Sequence, residues 1–416
     1  MGKLLRNVAV VGAGVSNFGN FPRKTNRELW VEAFLDAKNS VDNGIDQKDV
    51  EALFLGNYSS DLFEKQGHLA PLMADLVGLA PKAALKIEDA CASSGVALRM
   101  GVLAIASGMY DVVCVGGTEK MNTLSTAEVT DVLASASDKH TEIFGGSTFP
   151  GLYAAIATAH MAKYGTTPEM LMAYSIKAHN NGALNPKAQM PLTVTEIMSR
   201  RIRRAKEKGI SIPLWADEYE FLKSNYNPMI AYPLRLFDCS LITDGASCVF
   251  LAAEEVAKRY TDTPIWIIGS GQGSDTFALD DRTTMTSLKA ARVASQQAYK
   301  MAGLGPQDIQ IAEVHDCFSI AEIIAIEDLG FFEQGTGGKV TQEGRTALDG
   351  EMPINTSGGL KTKGHPVGAT GVAQAVEIFK QLRGEAEKRQ VPDVEIGLTH
   401  NVGGTGGTAV VHIYRR

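Results

Sequence analysis

The 416-residue chain is 44% hydrophobic and 21% charged, with a formal net charge of −7. That length allows two or three domains around a large apolar core, and the acidic balance argues against a nucleic-acid binder, which would carry a basic excess. Five cysteines with no Cys-x-x-Cys pair argue against a zinc site and point to a reducing compartment. No run of about 18 apolar residues marks a membrane span. The first eleven residues are too short and polar for a signal peptide. The ending His412-Ile413-Tyr414-Arg415-Arg416 is not a peroxisomal Ser-Lys-Leu tail, so the expected location is the cytoplasm.

In chain order, Val8-Ala9-Val10-Val11 reads as a buried strand running into a Gly12-Ala13-Gly14 turn. A helix-like run at 29–41 follows, then Gly44-Ile45-Asp46 and a strand at 49–55 that stops at Gly56-Asn57. The small-residue loop Asp89-Ala90-Cys91-Ala92-Ser93-Ser94-Gly95 opens an apolar helix, and residues 111–117 form another strand with a glycine end. Residues 121–233 break the rhythm: they are polar and helix-rich, with the basic run Arg200-Arg201-Ile202-Arg203-Arg204-Ala205-Lys206. The first pattern resumes near Leu236, where Asp244-Gly245-Ala246-Ser247 leads into a strand at 248–252.

From residue 265 the pattern repeats. Ile265-Trp266-Ile267-Ile268-Gly269-Ser270-Gly271 matches the first strand and its glycine turn; a helix at 288–301, Gly303-Leu304-Gly305 and a strand at 308–314 follow, stopping at His315-Asp316. A loop and helix at 364–382, a strand at 394–398 and a glycine run at 403–407 complete the copy. The expected organisation is a first α/β half at 1–120, resuming at about 235–257, an inserted loop domain at 121–234, and a second half at 258–416. Alternating strands and helices predict mostly parallel sheets, with chemistry in loops after strands and at helix N-termini.

Four loops hold groups able to do chemistry. Cys91 starts a helix, where free N–H groups would stabilise a thiolate and lower the thiol pKa; an inert packed cysteine is the ordinary alternative. His315-Asp316-Cys317-Phe318 follows a strand and precedes a helix at 320–329, so His315 and Cys317 can face one pocket. The stretch Ser357-Gly358-Gly359-Leu360-Lys361-Thr362-Lys363-Gly364-His365-Pro366 lets backbone approach a ligand and sets His365 as a candidate base; it lacks the spacing of a P-loop. His400-Asn401-Val402-Gly403-Gly404 could turn N–H groups toward an oxyanion. Gly12-Ala13-Gly14 lacks the third glycine of a dinucleotide fingerprint at the right distance. Cys114, Cys239 and Cys248 read as core, and His160 as packing.

These loops, in this order and over nearly the whole chain, resemble the thiolase superfamily. The most specific match is Lys363-Gly364-His365-Pro366-Val367-Gly368-Ala369-Thr370-Gly371, and Cys91 in Cys-Ala-Ser-Ser-Gly is similar to the family's nucleophile loop. His315-Asp316-Cys317-Phe318 resembles the sterol-carrier-protein-x branch and its archaeal and bacterial relatives, where other thiolases carry Asn-Glu-Ala. The chain departs at the Cys-x-Gly that supplies a second catalytic cysteine in many thiolases: here Asn401-Val402-Gly403 stands.

The resemblance implies an α/β thiolase fold. Two duplicated βαβαβαββ halves would stack in αβαβα layers, with the inserted helical loop domain over a CoA tunnel. It implies thiolytic cleavage of a 3-ketoacyl-CoA, or the reverse Claisen condensation, through a Cys91 acyl-enzyme. His365 would be the base, Cys317 the proton carrier, and His315 the holder of a water at the enolate oxygen; Gly403 with Cys91 would supply oxyanion N–H groups. Ser240 and Gly364 would contact the substrate, and residues 200–208 would meet the CoA phosphates or form a solvated face. CoA enters as substrate, no cofactor is permanently bound, and the protein is expected as a homodimer or tetramer. Alternatives are a ketoacyl-synthase-like or hydroxymethylglutaryl-CoA-synthase-like condensing enzyme, a non-catalytic CoA- or lipid-binding subunit, or a thiolase subunit working with a small zinc-ribbon/OB-fold protein on a bulkier aromatic or branched ketoacyl-CoA. Residues 199–226 look long for the loop domain.

Overall fold

In the computed structural model, which describes residues 4–416, strand β1 (Val8–Val15) is buried along its whole length. The other strands are β2 (Ala52–Gly56), β3 (Ala83–Ile87), β4 (Val112–Glu119), the small hairpin β5 (Met229–Ala231) and β6 (Leu234–Arg235), β7 (Gly245–Ala253), β8 (Ile265–Ser274), β9 (Ile311–Glu313), β10 (Ile396–Gly403) and β11 (Thr408–Arg415). The first half is ordered β3-β2-β4-β7-β1 and the second β8-β11-β10-β9. The two meet in a short antiparallel pairing, Val8↔Ile267 to Val10↔Ile265. Read outward from that junction, β1-β7-β4-β2-β3 mirrors β8-β11-β10-β9, and Ile354 bridges Ala312 of β9 where β3 would stand. The duplication read from the sequence is thus carried into the fold.

Parallel pairing is found in the outer strands of each half, β3-β2-β4 and β9-β10. The central strands β7, β1, β8 and β11 pair antiparallel. Here each half ends in a returning strand: β10 and β11 are joined through a glycine-rich turn of four residues, too short for the crossover a parallel neighbour needs.

Helices Asn26–Asn39 and Lys289–Ala302 cover the outer faces of the two halves. Helices Ser93–Ala106 and Thr370–Arg383 pack against each other and against strands of both halves, which gives five layers in αβαβα order. The outer helices sit very close to their strands. A Cβ on Gly14 would lie 2.1 Å from the Ala37 nitrogen, and one on Gly271 would lie 2.0 Å from the Ala294 carbonyl oxygen. The glycines of the Gly12-Ala13-Gly14 turn therefore serve helix packing, and the second half repeats the device.

Between β4 and β7 the chain runs through helices Thr126–Ala134, Phe149–Tyr164, Pro168–Gly182, Val194–Glu207 and Glu218–Lys223. Val194, Met198, Phe221, Leu222 and Phe237 make a small separate core with Met172, on which Trp215 and Tyr226 pack. Residues 199–226 supply much of that core. Among the described residues no helix is long and apolar enough to cross a membrane.

The packing generates a test. Gly271→Val is expected to cost about 1–3 kcal/mol or more, read as a lower denaturation midpoint with an unchanged slope; an unchanged midpoint would mean the helix is not held this close.

Candidate active site

The chain leaves β3, turns at Asp89 and Ala90, and enters helix Ser93–Ala106. Ala90 has φ +48°, a left-handed conformation that costs a non-glycine residue energy and persists only when its surroundings impose it. Ser93 imposes it: its hydroxyl accepts the Asp89 N–H at 3.0 Å and donates to the Ala90 carbonyl at 2.6 Å. Cys91 follows directly. Its sulfur, one ring nitrogen of His315 and one of His365 all lie within 4.8 Å of one another, and the two rings meet edge to face with centroids 5.1 Å apart.

His315 and Cys317 arrive from the loop after β9. Asp316 between them faces away from Cys91, accepting the Tyr174 hydroxyl at 2.7 Å and the Leu360 N–H at 2.8 Å. Burial raises the Asp316 carboxyl to about 7. It ties this loop to the segment that carries His365. Gly364 has φ +120°, and a Cβ there would meet Thr243 at 2.7 Å; the next residue, His365, donates its N–H to the Thr243 hydroxyl at 2.9 Å.

The His365 ring has a defined tautomer. Thr370 Oγ1 lies 3.1 Å from the Pro366 carbonyl, which can only accept, so the hydroxyl hydrogen goes there. The same oxygen lies 2.7 Å from His365 Nδ1 and must accept from it. Nδ1 carries the proton and Nε2 is left with a bare lone pair, as a base requires.

The protonation of Cys91 differs from the sequence expectation. Burial pushes the Cys91 thiol up to about 12, outweighing the lowering by the nearby Gly404 N–H. A helix start alone would lower it, but removing the thiolate from water costs more. Burial, aided by the Lys363 charge, holds His365 down at about 3, and burial with the neighbouring histidines holds His315 well below its ordinary value. The resting site thus contains a thiol and two neutral rings.

Cys317 is buried, and burial raises its thiol. The Tyr153 hydroxyl lies near its sulfur and donates to the Gly404 carbonyl at 3.2 Å, while the Tyr153 ring stacks on Phe318 at 4.5 Å. Tyr153 comes from an apolar loop-domain helix, and no local motif marked it. Gly403 packs so closely on the Cys91 turn that a Cβ would sit 2.7 Å from the Asp89 carbonyl oxygen, and the neighbouring Gly404 N–H lies near the Cys91 sulfur. Ser240 meets the site through its backbone, donating its N–H to the Cys317 carbonyl at 2.9 Å. His160 is a core residue, bonded to Thr166 and Glu327.

A cavity of 590 Å³ opens beside these loops. Arg200, Arg204 and Lys208, spaced one helical turn apart, line one side, and Phe237, Tyr226 and Lys361 line others. Leu241 at its edge follows Ser240 and precedes Ile242, which bridges to His365. Burial lowers the Lys361 ammonium to about 8. Basic groups around an apolar-walled cleft suit a phosphorylated ligand with an extended uncharged arm.

Two family models match the chain: "Thiolase, N-terminal domain" over residues 8–255 and "Thiolase C-terminal domain-like" over residues 271–416. The chain is 46% identical to an acetyl-CoA acetyltransferase of Methanothermobacter thermautotrophicus over 99% of its own length and 100% of the relative's. It is 32% identical to bovine sterol carrier protein 2, over 99% of this chain and 73% of that one. A solved structure, the Ltp2-ChsH2(DUF35) aldolase, shares the fold with a TM-score of 0.78 at 23% identity, covering 99% of this chain and 98% of that chain.

A neutral thiol has a measurable signature, because only the thiolate alkylates. Iodoacetamide labelling of Cys91 in the empty enzyme, followed by peptide mass spectrometry, is expected to be slow at pH 7 and to rise about tenfold per pH unit to at least pH 10; a plateau below pH 8 would mean that the thiolate forms at rest.

Proposed function

This chain belongs to the thiolase family, and from that premise we propose that Cys91 is its covalent nucleophile in CoA-dependent cleavage of a 3-ketoacyl-CoA or the reverse condensation. The observation that carries the residue assignment is the meeting of the Cys91 sulfur with His315 and His365 inside 4.8 Å. His365 Nε2 takes the thiol proton as sulfur attacks the β-keto carbon. The N–H groups of Cys91 and of the glycine pair Gly403-Gly404 steady the oxyanion, an effect worth about 3 kcal/mol for a good donor. Breaking the Cα–Cβ bond leaves acyl-Cys91 and a thioester enolate, which receives a proton from Cys317. A CoA thiol then attacks the acyl group and gives its proton to the Cys317 thiolate. Cys91 leaves and recovers its proton from His365.

Magnitudes decide when the first proton moves. Thiol and ring values differ by about nine, so forming the ion pair in the empty site costs on the order of 12 kcal/mol. Attraction between the two charges at this distance returns only about 3 kcal/mol at an effective dielectric near 20. Proton transfer therefore accompanies carbon attack rather than preceding it. The ketoacyl-synthase-like alternative fits the residues less well, since Cys317 with its Tyr153 contact would then have no task.

The CoA nucleotide belongs in the 590 Å³ cavity, with its phosphates at Arg200, Arg204 and Lys208; Ser240 and Gly364 border the pantetheine arm. We take residues 1–120 with 235–257, 121–234, and 258–416 as the three functional divisions, supported by the return of the chain from the loop-domain helices at β7. A homodimer in the cytoplasm completes the reading. It is supported by β3, an edge strand bonded only to β2 and partly exposed, where Leu85 is 47% exposed; a twofold axis can pair such an edge with its own copy. A small zinc-ribbon/OB-fold partner is a further part of the proposal, supported by the fold shared with the Ltp2-ChsH2(DUF35) aldolase; co-purification from cell lysate tests it.

Brief exposure to acetoacetyl-CoA followed by intact-mass measurement is expected to show an acetyl adduct on the wild type and none on Cys91→Ala. Absence of any adduct across a panel of larger ketoacyl-CoAs, with lysate added, would leave a non-catalytic CoA-binding subunit.

A further inference from the structure

Asn401 occupies the place where the resemblance led us to expect a second cysteine, and nothing so far gives it a task. It lies on β10 opposite Val410 and is buried. Its amide nitrogen is 3.1 Å from the Cys91 carbonyl oxygen and 3.0 Å from His315 Nδ1. The first contact settles which way the amide faces, because a carbonyl oxygen only accepts and the group beside it must be NH2. That group's second hydrogen then points at His315 Nδ1, which must be the bare nitrogen. The ring proton is on Nε2.

Small residues box in the other end of the amide: a Cβ on Gly95 would come within 2.7 Å of Asn401 Oδ1, and one on Gly371 within 2.4 Å. His315 Nε2 is buried and has no partner among the protein groups. With Nδ1 held by Asn401, Nε2 is the nitrogen left free to serve the cluster that His315 forms with Cys91 and His365. The two histidines are thus set in opposite senses, His365 with a lone pair and His315 with an N–H.

We propose that Asn401 is a positioning residue that fixes His315 in its Nε2–H tautomer, making His315 a dedicated hydrogen-bond donor to a substrate oxygen or its water. The inference rests on the thiolase reading for its catalytic consequence, but the tautomer stands on hydrogen bonding alone. It also speaks against a metal at Cys91, His315 and His365, since a ligating nitrogen must be bare and His315 presents its proton instead.

Long-range 1H–15N spectra of the empty enzyme labelled at histidine report the tautomer directly. Wild type is expected to carry the His315 proton on Nε2. In the near-isosteric Asn401→Asp, where a carboxylate can only accept from Nδ1, the proton is expected on Nδ1, with kcat falling about 100- to 1000-fold. In a His315→Ala background the same Asn401→Asp change is expected to alter kcat less than threefold, whereas a purely structural role through the Cys91 carbonyl would keep its full effect. A wild-type proton on Nδ1, an unchanged tautomer in Asn401→Asp, or full additivity with His315→Ala would each overturn the proposal. An enzyme with the expected tautomer that acylates from no ketoacyl-CoA would instead refute the thiolase reading alone.

Discussion

Everything at this site follows from setting a half-buried sulfur and two buried imidazoles together where little water is left to solvate a charge. Burial raises the Cys91 thiol to about 12 and lowers the His365 ring to about 3, so neither ionises at neutral pH. A value of about 3 instead of the ordinary 6.5 corresponds to roughly 5 kcal/mol against charging the ring. Such a site does not hold a standing thiolate that any electrophile could find. It holds an uncharged thiol beside a neutral imidazole, and in the proposed mechanism charge appears only when a substrate offers the carbon and the N–H groups receive the oxygen. Solvent exclusion and pre-set donors act in the same direction.

The duplicated fold is what makes this enclosure possible. Cys91 precedes helix Ser93–Ala106 and His365 precedes helix Thr370–Arg383, so the proposed nucleophile and base are the same feature of the two halves, brought face to face because those two helices pack in the central layer. Glu119 at the end of β4 fastens the arrangement: its carboxylate accepts the N–H groups of Tyr58 and Ser59 from the first half and of Gly368 from the second. His315, Cys317 and Asn401 are added from the second half. No half could form the site alone, which gives a physical reason for the halves to remain one chain.

Much of this was readable in the sequence. The repeated strand-glycine-helix pattern announced two equivalent halves, and the glycine- and histidine-bearing loops that follow strands named Cys91, His315, Cys317 and His365 before any coordinate was known. What escaped was non-local. Tyr153 sits 164 positions before Cys317 on a helix with no polar signature, and only folding stacks its ring on Phe318 and brings its hydroxyl near that sulfur. The thiol pKa was read from a helix start, a local effect, whereas the enclosure that reverses it comes from loops of both halves. Asn401 read as a lost cysteine because its partners, the Cys91 carbonyl and the His315 ring, lie 310 and 86 residues away. Strand β3 was missed because Ala83-Ala84-Leu85-Lys86-Ile87 is an exposed edge without a clear alternation.

The central claim is that proton transfer from Cys91 to His365 is coupled to attack within a site that is neutral at rest. Stopped-flow acylation of wild type and His365→Ala across pH 5.5 to 9 tests it most directly. A nearly flat wild-type rate is expected, since neither Cys91 nor His365 titrates in that window, and a His365→Ala rate at least about 100-fold lower at pH 7 that climbs tenfold per pH unit as hydroxide replaces the base. A wild-type acid limb near pH 6.5, or parallel profiles for the two proteins, would contradict it.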